Sequence, residues 1–440
     1  MRSWVDAMTP QSSFLYAAAV IPERVEALRK LLKSMNHAPG VVNLSNRFLP
    51  FAEFDTLHSA RLLIVSDLAS ADCAVFHLPT QGLPDYLVLM GEVDGSETDF
   101  RTKLVRHADS GLRVLFSHCK DFHEDEDLDS FLVHCRVKPA AEYVNWTGRT
   151  LLQEREEEAL RRALSVFVQQ HQDSLCAMPP EQLWTAMRQF AKDQIAAGAL
   201  TLTAQEPTPL GWRIRNFLHL LYVPLALLVL SPLLLLILPV YLLLLRNWET
   251  KDPEVDPPLD PTHAVQLETM ENTDTANQFS VFGSLKPGAA RLWSMRFFLW
   301  ITSYAARHIF NRGRLARVST IHFARWVPFD GGKRMLFSSV YDGSLESYMD
   351  DFINKVGYGL NITFSNGIGY PRTHWLVGDG CRDEQTFKRV LRRHQLATEV
   401  WYNALPGITA ANKQRNSMIR AGVDAHSMSA EQIRQWASLL

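Results

Sequence analysis

The hydrophobic pattern along this chain runs through one series of periods twice. Ser13 to Val20 is an apolar run of strand length, and Pro22 then opens a segment, Glu23 to Lys33, with apolar residues at helical spacing. This predicts a first strand entering an amphipathic helix, with the proline where its missing N–H matters least, rather than a signal peptide. A strand through His58 and Arg61 is expected to form a hairpin with Tyr86 to Val93. A helix from Thr98 to His107 and a strand from Leu112 to Ser117 complete the series. The second series predicts a strand from Phe279 to Leu285, a long helix to about Phe310 and strands over Thr320 to Pro328 and Arg334 to Tyr341. A helix from Leu345 to Lys355 and a strand from Leu360 to Ser365 close it.

The two series are copies. Thr56-Leu57-His58-Ser59-Ala60-Arg61 returns as Thr320-Ile321-His322-Phe323-Ala324-Arg325, and Asp94-Gly95-Ser96 returns as Asp342-Gly343-Ser344. From Asp94 to Ser117 the offset is constant at 248 and seven of 24 positions are identical, well above chance. The order βαββαβ is that of the ferredoxin-like unit, which covers one sheet face with helices and leaves the other needing a partner. The expected fold is α+β: two ferredoxin-like repeats with their open faces together as an intramolecular α/β barrel. Each repeat carries a strand-helix tail, Phe131 to Val137 then Leu151 to Gln169, and Thr398 to Ala404 then Thr409 to Gly422. The acidic run from Glu124 to Asp129 reads as a solvated loop.

Between the copies lies FLHLLYVPLALLVLSPLLLLILPVYLLLL, residues 217–245, without a charge and flanked by Arg and Trp on both sides. A straight helix of this length would reach about 43 Å, beyond a hydrocarbon core of about 30 Å. Repeats that pack on each other must share one aqueous side. Pro224, Pro232 and Pro239 therefore read as a membrane hairpin turning near Ser231-Pro232, its legs each about 21 Å long. A single kinked span is the alternative. Residues 291–310, rich in aromatics and arginine, predict a second helix at the headgroup level that also packs on its own sheet. The expected division is a first repeat with its tail over 1–175, a helical connector over 176–210, the membrane segment over 211–248, a Pro- and acid-rich linker over 249–277 and the second repeat over 278–440.

Composition adds limits. A net charge of −2 and the lack of a basic stripe interleaved with aromatics in a soluble segment argue against a nucleic-acid partner. Five cysteines without CxxC spacing point to a reducing compartment, and arginines at both ends of the apolar segment place the soluble parts on the cytoplasmic face. Homo-oligomers remain compatible with all of this.

The repeated His-x-Ala-Arg strand carries the candidate chemistry. His58, Ala60 and Leu62 fall on one face and Arg61 on the other, as do His322, Ala324 and Trp326 against Arg325. A small Ala beside each His would leave room for a ligand between the sheets; a purely structural role for the His and Arg is the competing reading. In Asp-Gly-Ser, the Gly turns the chain, Ser96 or Ser344 caps the next helix, and Asp94 or Asp342 favours its positive end. His118, Cys119, His123, His134 and Cys135 would offer nitrogen and sulfur to a transition metal if their strands paired, although ordinary strand and loop positions explain them equally.

With its tandem units and Gly91-Glu92-Val93-Asp94-Gly95, matching in form a Gly-x-x-Asp-Gly motif, the chain resembles the dimeric α/β-barrel superfamily and, distantly, its dye-decolorising haem peroxidases and their chlorite-dismutase relatives. It also looks like bacterial membrane-associated proteins of the same tandem architecture. The second copy has Ser339 in place of the glycine. The peroxidase resemblance implies a distal Asp and Arg and a proximal His on haem iron, for which His322 is the candidate. Three functions follow: binding or transforming an apolar, lipid-derived molecule in the barrel, a haem-dependent peroxidase, or a non-catalytic membrane scaffold for a partner enzyme.

Overall fold

Three nine-residue strands, β1 (Gln11–Ala19), β2 (Leu57–Val65) and β3 (Tyr86–Asp94), pair antiparallel with β3 in the middle. The chain is described by a computed structural model over residues 7–68, 70–78 and 83–440. After a crossing strand β4 (Ala141–Val144), the second half repeats the hairpin with β5 (Ala276–Ser284), β6 (Ile321–Phe329) and β7 (Arg334–Asp342), and ends with β8 (Val400–Asn403). The short strands change halves. β4 joins β6 of the second sheet, Ala141 opposite Trp326, and β8 joins β2 of the first, Val400 opposite Leu62. The sheets are therefore ordered β1-β3-β2-β8 and β5-β7-β6-β4, entirely antiparallel.

Helices α1 (Val25–Lys33), α2 (Glu97–Phe116) and α3 (Leu128–His134) belong to the first half. Its tail continues as α4 (Leu151–Gln170) and α5 (Pro180–Ala196). After α6 (Leu210–Lys251), the second half has α7 (Ala289–His308), α8 (Leu345–Phe364), α9 (Glu384–His394), α10 (Ala410–Asp424) and α11 (Ala430–Ala437).

Two expected strands are absent because these helices run on. Residues 112–117 end α2 and 360–365 end α8. Buried Phe100, Leu104, Ala108, Leu112 and Leu115 keep helical spacing through the whole of α2. The signal breaks because Ala108 leaves helical dihedrals (φ −129°), as does its counterpart 248 residues on, Val356 (φ −143°). The expected strand Phe131 to Val137 is mostly α3, capped by Asp127, so the acidic run ends inside a helix. Only Cys135 to Val137 lies beside β1, through Ala17 N–H to Cys135 O (2.8 Å) and Val137 N–H to Leu15 O (2.9 Å). Leu396 N–H binds Ser280 O (2.8 Å) beside β5 in the same way.

Every residue of β2 is buried, which requires cover on both faces. Ala60, Leu62 and Ile64 face a core that includes Leu28, Leu32, Phe100 and Leu104 of α1 and α2. Leu63 and Val65 face the other way and, with Leu15, Val88 and Met90, pack on Phe282, Val327, Phe329 and Leu336 of the second sheet. Alternation holds from Ser59 on, but a bulge between Leu57 and Ser59 puts Leu57 rather than His58 on the face of Ala60, and that face meets helices rather than the space between the sheets. Between the sheets, the side chains of the two pack directly on one another. Leu160, Leu164, Met187, Ile419, Val423 and Trp436 form a separate apolar cluster that joins α4 and α5 to α10 and α11.

The apolar insert is not a hairpin. α6 is one helix of 42 residues, about 63 Å long, and contains all three prolines. Each proline removes one hydrogen bond and kinks the helix without needing to reverse it. Their spacings of eight and seven place them within about 80° of one side. Half-buried or buried positions recur at three- and four-residue steps at both ends, through Trp212, Asn216, His219 and Val223 and again through Tyr241, Leu245 and Glu249. This stripe meets α7: Arg307 donates to Asn216 (2.8 Å), the His219 and His308 rings stack at 5.1 Å, and Trp300 meets Tyr222. The other side is bare, with Leu228, Leu236 and Leu243 at 69%, 75% and 74% exposure. Beyond it, the stretch read as a linker is tied down: Asp252 pairs with Arg291 (2.5 Å) and Lys286 (3.2 Å), and Asp256 with Arg393 (2.9 Å).

Candidate functional site

The Asp-Gly-Ser turns build the site from two equivalent corners. Gly95 and Gly343 take left-handed dihedrals (φ +80° and +85°), which only glycine adopts freely. Ser96 and Ser344 cap α2 and α8, accepting from Asp99 N–H (3.1 Å) and Ser347 N–H (3.2 Å). The aspartates serve different helices. Asp94 accepts from His58 Nε2 (2.9 Å) and from the N–H of Leu151, first residue of α4 (2.8 Å). Asp342 accepts from His322 Nε2 (2.6 Å) and from the N–H of Ala410, first residue of α10 (2.8 Å). Each carboxylate joins a strand histidine to the positive end of the helix that follows a crossing strand, where backbone donors have no helical partner.

α4 and α10 lie side by side and bring their fourth residues, Glu154 and Lys413, together at 2.8 Å. Glu154 also lies 3.7 Å from His58 Nδ1, and the His58 ring meets Phe323 of the other half edge-on at 5.7 Å. Burial pulls the His58 pKa down, but Asp94 and Glu154 outweigh it and push the imidazole up to about 9. Burial likewise opposes the Glu154 carboxylate, which Lys413 and His58 hold down at about 2. The corner carries a buried imidazolium between two carboxylates. The second copy has Lys413 where the first has Glu154, so it is not electrostatically equivalent.

His58 and His322 do meet at one cavity, with Gln11, Asn145, Trp146, Arg149, Glu154 and Lys413. Its volume is about 20 Å³. That is room for one water, against about 300–1,000 Å³ for an organic ligand or cofactor. His322 Nε2, moreover, is already held by Asp342. The residues present do not fit a haem. Among the described residues, no group of three or more His, Cys, Asp and Glu side chains is arranged to hold a metal ion. Of the cysteine-histidine cluster, Cys119 and Cys135 are buried thiols pushed upward by burial, Cys135 to about 12, and His118 Nδ1 turns to Val114 O (3.1 Å).

Arg61 and Arg325 are elsewhere, crossed between the sheets. Arg61 donates to Phe279 O (3.1 Å), Ser280 Oγ (2.9 Å) and Ser339 O (3.0 Å) of the opposing sheet. Arg325 donates to Phe14 O (3.0 Å), Gly91 O (3.1 Å) and the Glu92 carboxylate. Phe14 and Gly91 are cross-strand partners, as are Phe279 and Ser339, so each arginine grips the equivalent pair in the other half. Glu92 also accepts from Ser59 Oγ. Both guanidiniums are buried and tie one sheet to the other.

Sequence reasoning missed Glu154, Lys413, Arg149 and Glu92. A signal for the first two existed: Tyr143, Gly148 and Thr150 return at a constant offset of 259 as Tyr402, Gly407 and Thr409, which aligns Glu154 with Lys413. Thr150 and Thr409 are the caps of α4 and α10. No family model, curated protein or solved structure matches this chain.

Proposed function

We propose that the protein is a monotopic membrane scaffold: two ferredoxin-like repeats close as a filled intramolecular barrel that holds a partner at the lipid surface without chemistry of its own. The observation that carries this reading is α6, pinned at both ends to one body and bare along its outer side. At one end Arg307 and His308 hold Asn216 and His219; at the other, Glu249 accepts from Thr373 Oγ1 (2.9 Å) and Leu376 N–H (3.0 Å). A helix that crossed a bilayer would put these polar attachments on opposite sides, about 45 Å apart. Lying in the plane, it buries its leucines to a depth of about 5–10 Å and keeps both ends at the headgroups. The repeats find support in the exchanged strands and in the stretches after α3 and α9 that run beside β1 and β5. Scaffolding, rather than turnover, is favoured by the packed interface and the water-sized cavity at His58 and His322. Five free cysteines and flanking arginines favour the cytoplasmic face.

Tags at the two termini, probed with protease in sealed right-side-out and inverted vesicles, test the topology. Both should be cleaved in inverted vesicles and neither in right-side-out ones; one tag in each would refute the reading. A second reading keeps a small-molecule ligand but moves it out of the barrel. It is favoured by a cavity of about 450 Å³ with an apolar floor of Phe279, Leu345, Met349 and Leu391 and a rim that includes Lys388 and Arg392. Mass spectrometry of delipidated protein distinguishes the two, since only the second retains a stoichiometric small molecule.

A further inference from the structure

Charge is distributed unevenly around α6. Residues 207–248 contain three arginines and no acidic residue or lysine, and residues 289–329 contain seven arginines and again no acidic residue or lysine. These two stretches hold α6 and α7, which pack on each other. Cations at the C-terminal end of α6 have carboxylate partners: Arg246 with Glu249 (3.2 Å), Arg291 with Asp252 (2.5 Å) and Arg372 with Glu254 (3.2 Å). At the N-terminal end, Arg213 and Arg215 of α6 and Arg307, Arg312, Arg314 and Arg317 at and beyond the end of α7 are all exposed.

The packing fixes their place. Arg307 lies 5.9 Å from the Trp212 ring and close enough to Arg215 for the two charges to repel; Glu142 is the carboxylate acting on it. Gly313 N–H binds Asn145 O (2.7 Å) and Arg312 bridges to Trp146, which hold the turn carrying Arg312 and Arg314 against the body. Phe217, Leu218 and Ile309, each more than half exposed, sit beside these cations. An apolar surface bordered by arginines, whose forked donors match phosphate oxygens, is complementary to an anionic lipid surface.

We infer that the six arginines at the N-terminal end of α6 form a docking surface for anionic phospholipid headgroups, orienting the protein on negatively charged membranes. This rests on the membrane reading above and adds the class of lipid.

The test transfers full-length protein from detergent into vesicles of phosphatidylcholine alone or with phosphatidylglycerol, and follows it by flotation. Wild-type protein should partition about tenfold better into the anionic vesicles at low salt, an advantage that high salt removes. Arg314→Glu/Arg317→Glu should lose the advantage while partitioning into neutral vesicles as before, with an unchanged melting temperature. Equal preference in wild type and variant would overturn the inference and leave the membrane reading standing. Failure to float with either vesicle would overturn both. Arg434→Glu, in α11, should leave the preference intact; an equal loss there would show a nonspecific charge effect and overturn the assignment to this patch.

Discussion

Replacing His58 by Asn should remove a pH dependence from the protein's stability. The imidazole lies buried, bound to Asp94 at 2.9 Å and 3.7 Å from Glu154, and its pKa is pushed up to about 9 from an ordinary 6.5. A group raised in the folded state stabilises it fully below the unfolded pKa, and that contribution disappears as pH rises through the folded one. The window is therefore pH 6.5 to 9, and the difference corresponds to about 3 kcal/mol as an order of magnitude. Glu154 has the opposite sign: held at about 2, it stabilises above pH 4.5 and is lost only in acid, outside this window. The assay is urea unfolding of detergent-solubilised protein at pH 6 and pH 9.5. Wild type should lose about 3 kcal/mol more than His58→Asn between the two conditions, since other titrations are common to both. Parallel losses would refute the reasoning and mean that the imidazole is neutral in its corner.

Three further substitutions test the ties in the fold. Arg325→Met strands the Glu92 carboxylate between the sheets and should cost about 3–5 kcal/mol in denaturant unfolding, part of which Glu92→Gln in the same chain should restore. Gly91→Ala sets a methyl against Ser59 O and within 2.7 Å of the Phe14 ring, so a loss of about 1–3 kcal/mol is expected by the same measurement. Glu249→Ala leaves the N–H groups of Trp375 and Leu376 without their acceptor while both hold left-handed dihedrals (φ +54° and +58°). Amide exchange over residues 373–379 should quicken, reflecting a local loss of about 2 kcal/mol, with little change in the sheets.

What the sequence could and could not disclose has physical causes. The duplicated turn was legible because Gly95 and Gly343 need positive φ and the serines after them need to cap, constraints that leave a residue-level trace. The meeting of His58 and His322 at one cavity was not readable from strand alternation, since a bulge at each histidine turns it off the face of the alanine two residues on. The full length of α2 and α8 was hidden by single non-helical residues, Ala108 and Val356, that break the period in the middle. Strand exchange by β4 and β8 left almost no pattern, because four residues are too few for alternation to register and their partners lie more than 170 residues away. The three prolines of α6 were read as a reversal, although each breaks only one hydrogen bond and all fall near one side. Glu154 and Lys413 differ in sign between the copies, so a search for shared residues passes over the pair that joins them.

The in-plane placement of α6 is tested most directly by its depth profile. Single nitroxide labels at Leu221, Leu228, Leu236 and Leu243 of reconstituted protein, read by relaxation against oxygen and a water-soluble nickel reagent, report how far each lies from the headgroups. The account predicts similar shallow depths within one leaflet, about 5–10 Å below the headgroups along the whole helix. A profile that deepens to a maximum near Leu228 to Leu236 and returns to the opposite interface at Leu243 would contradict it.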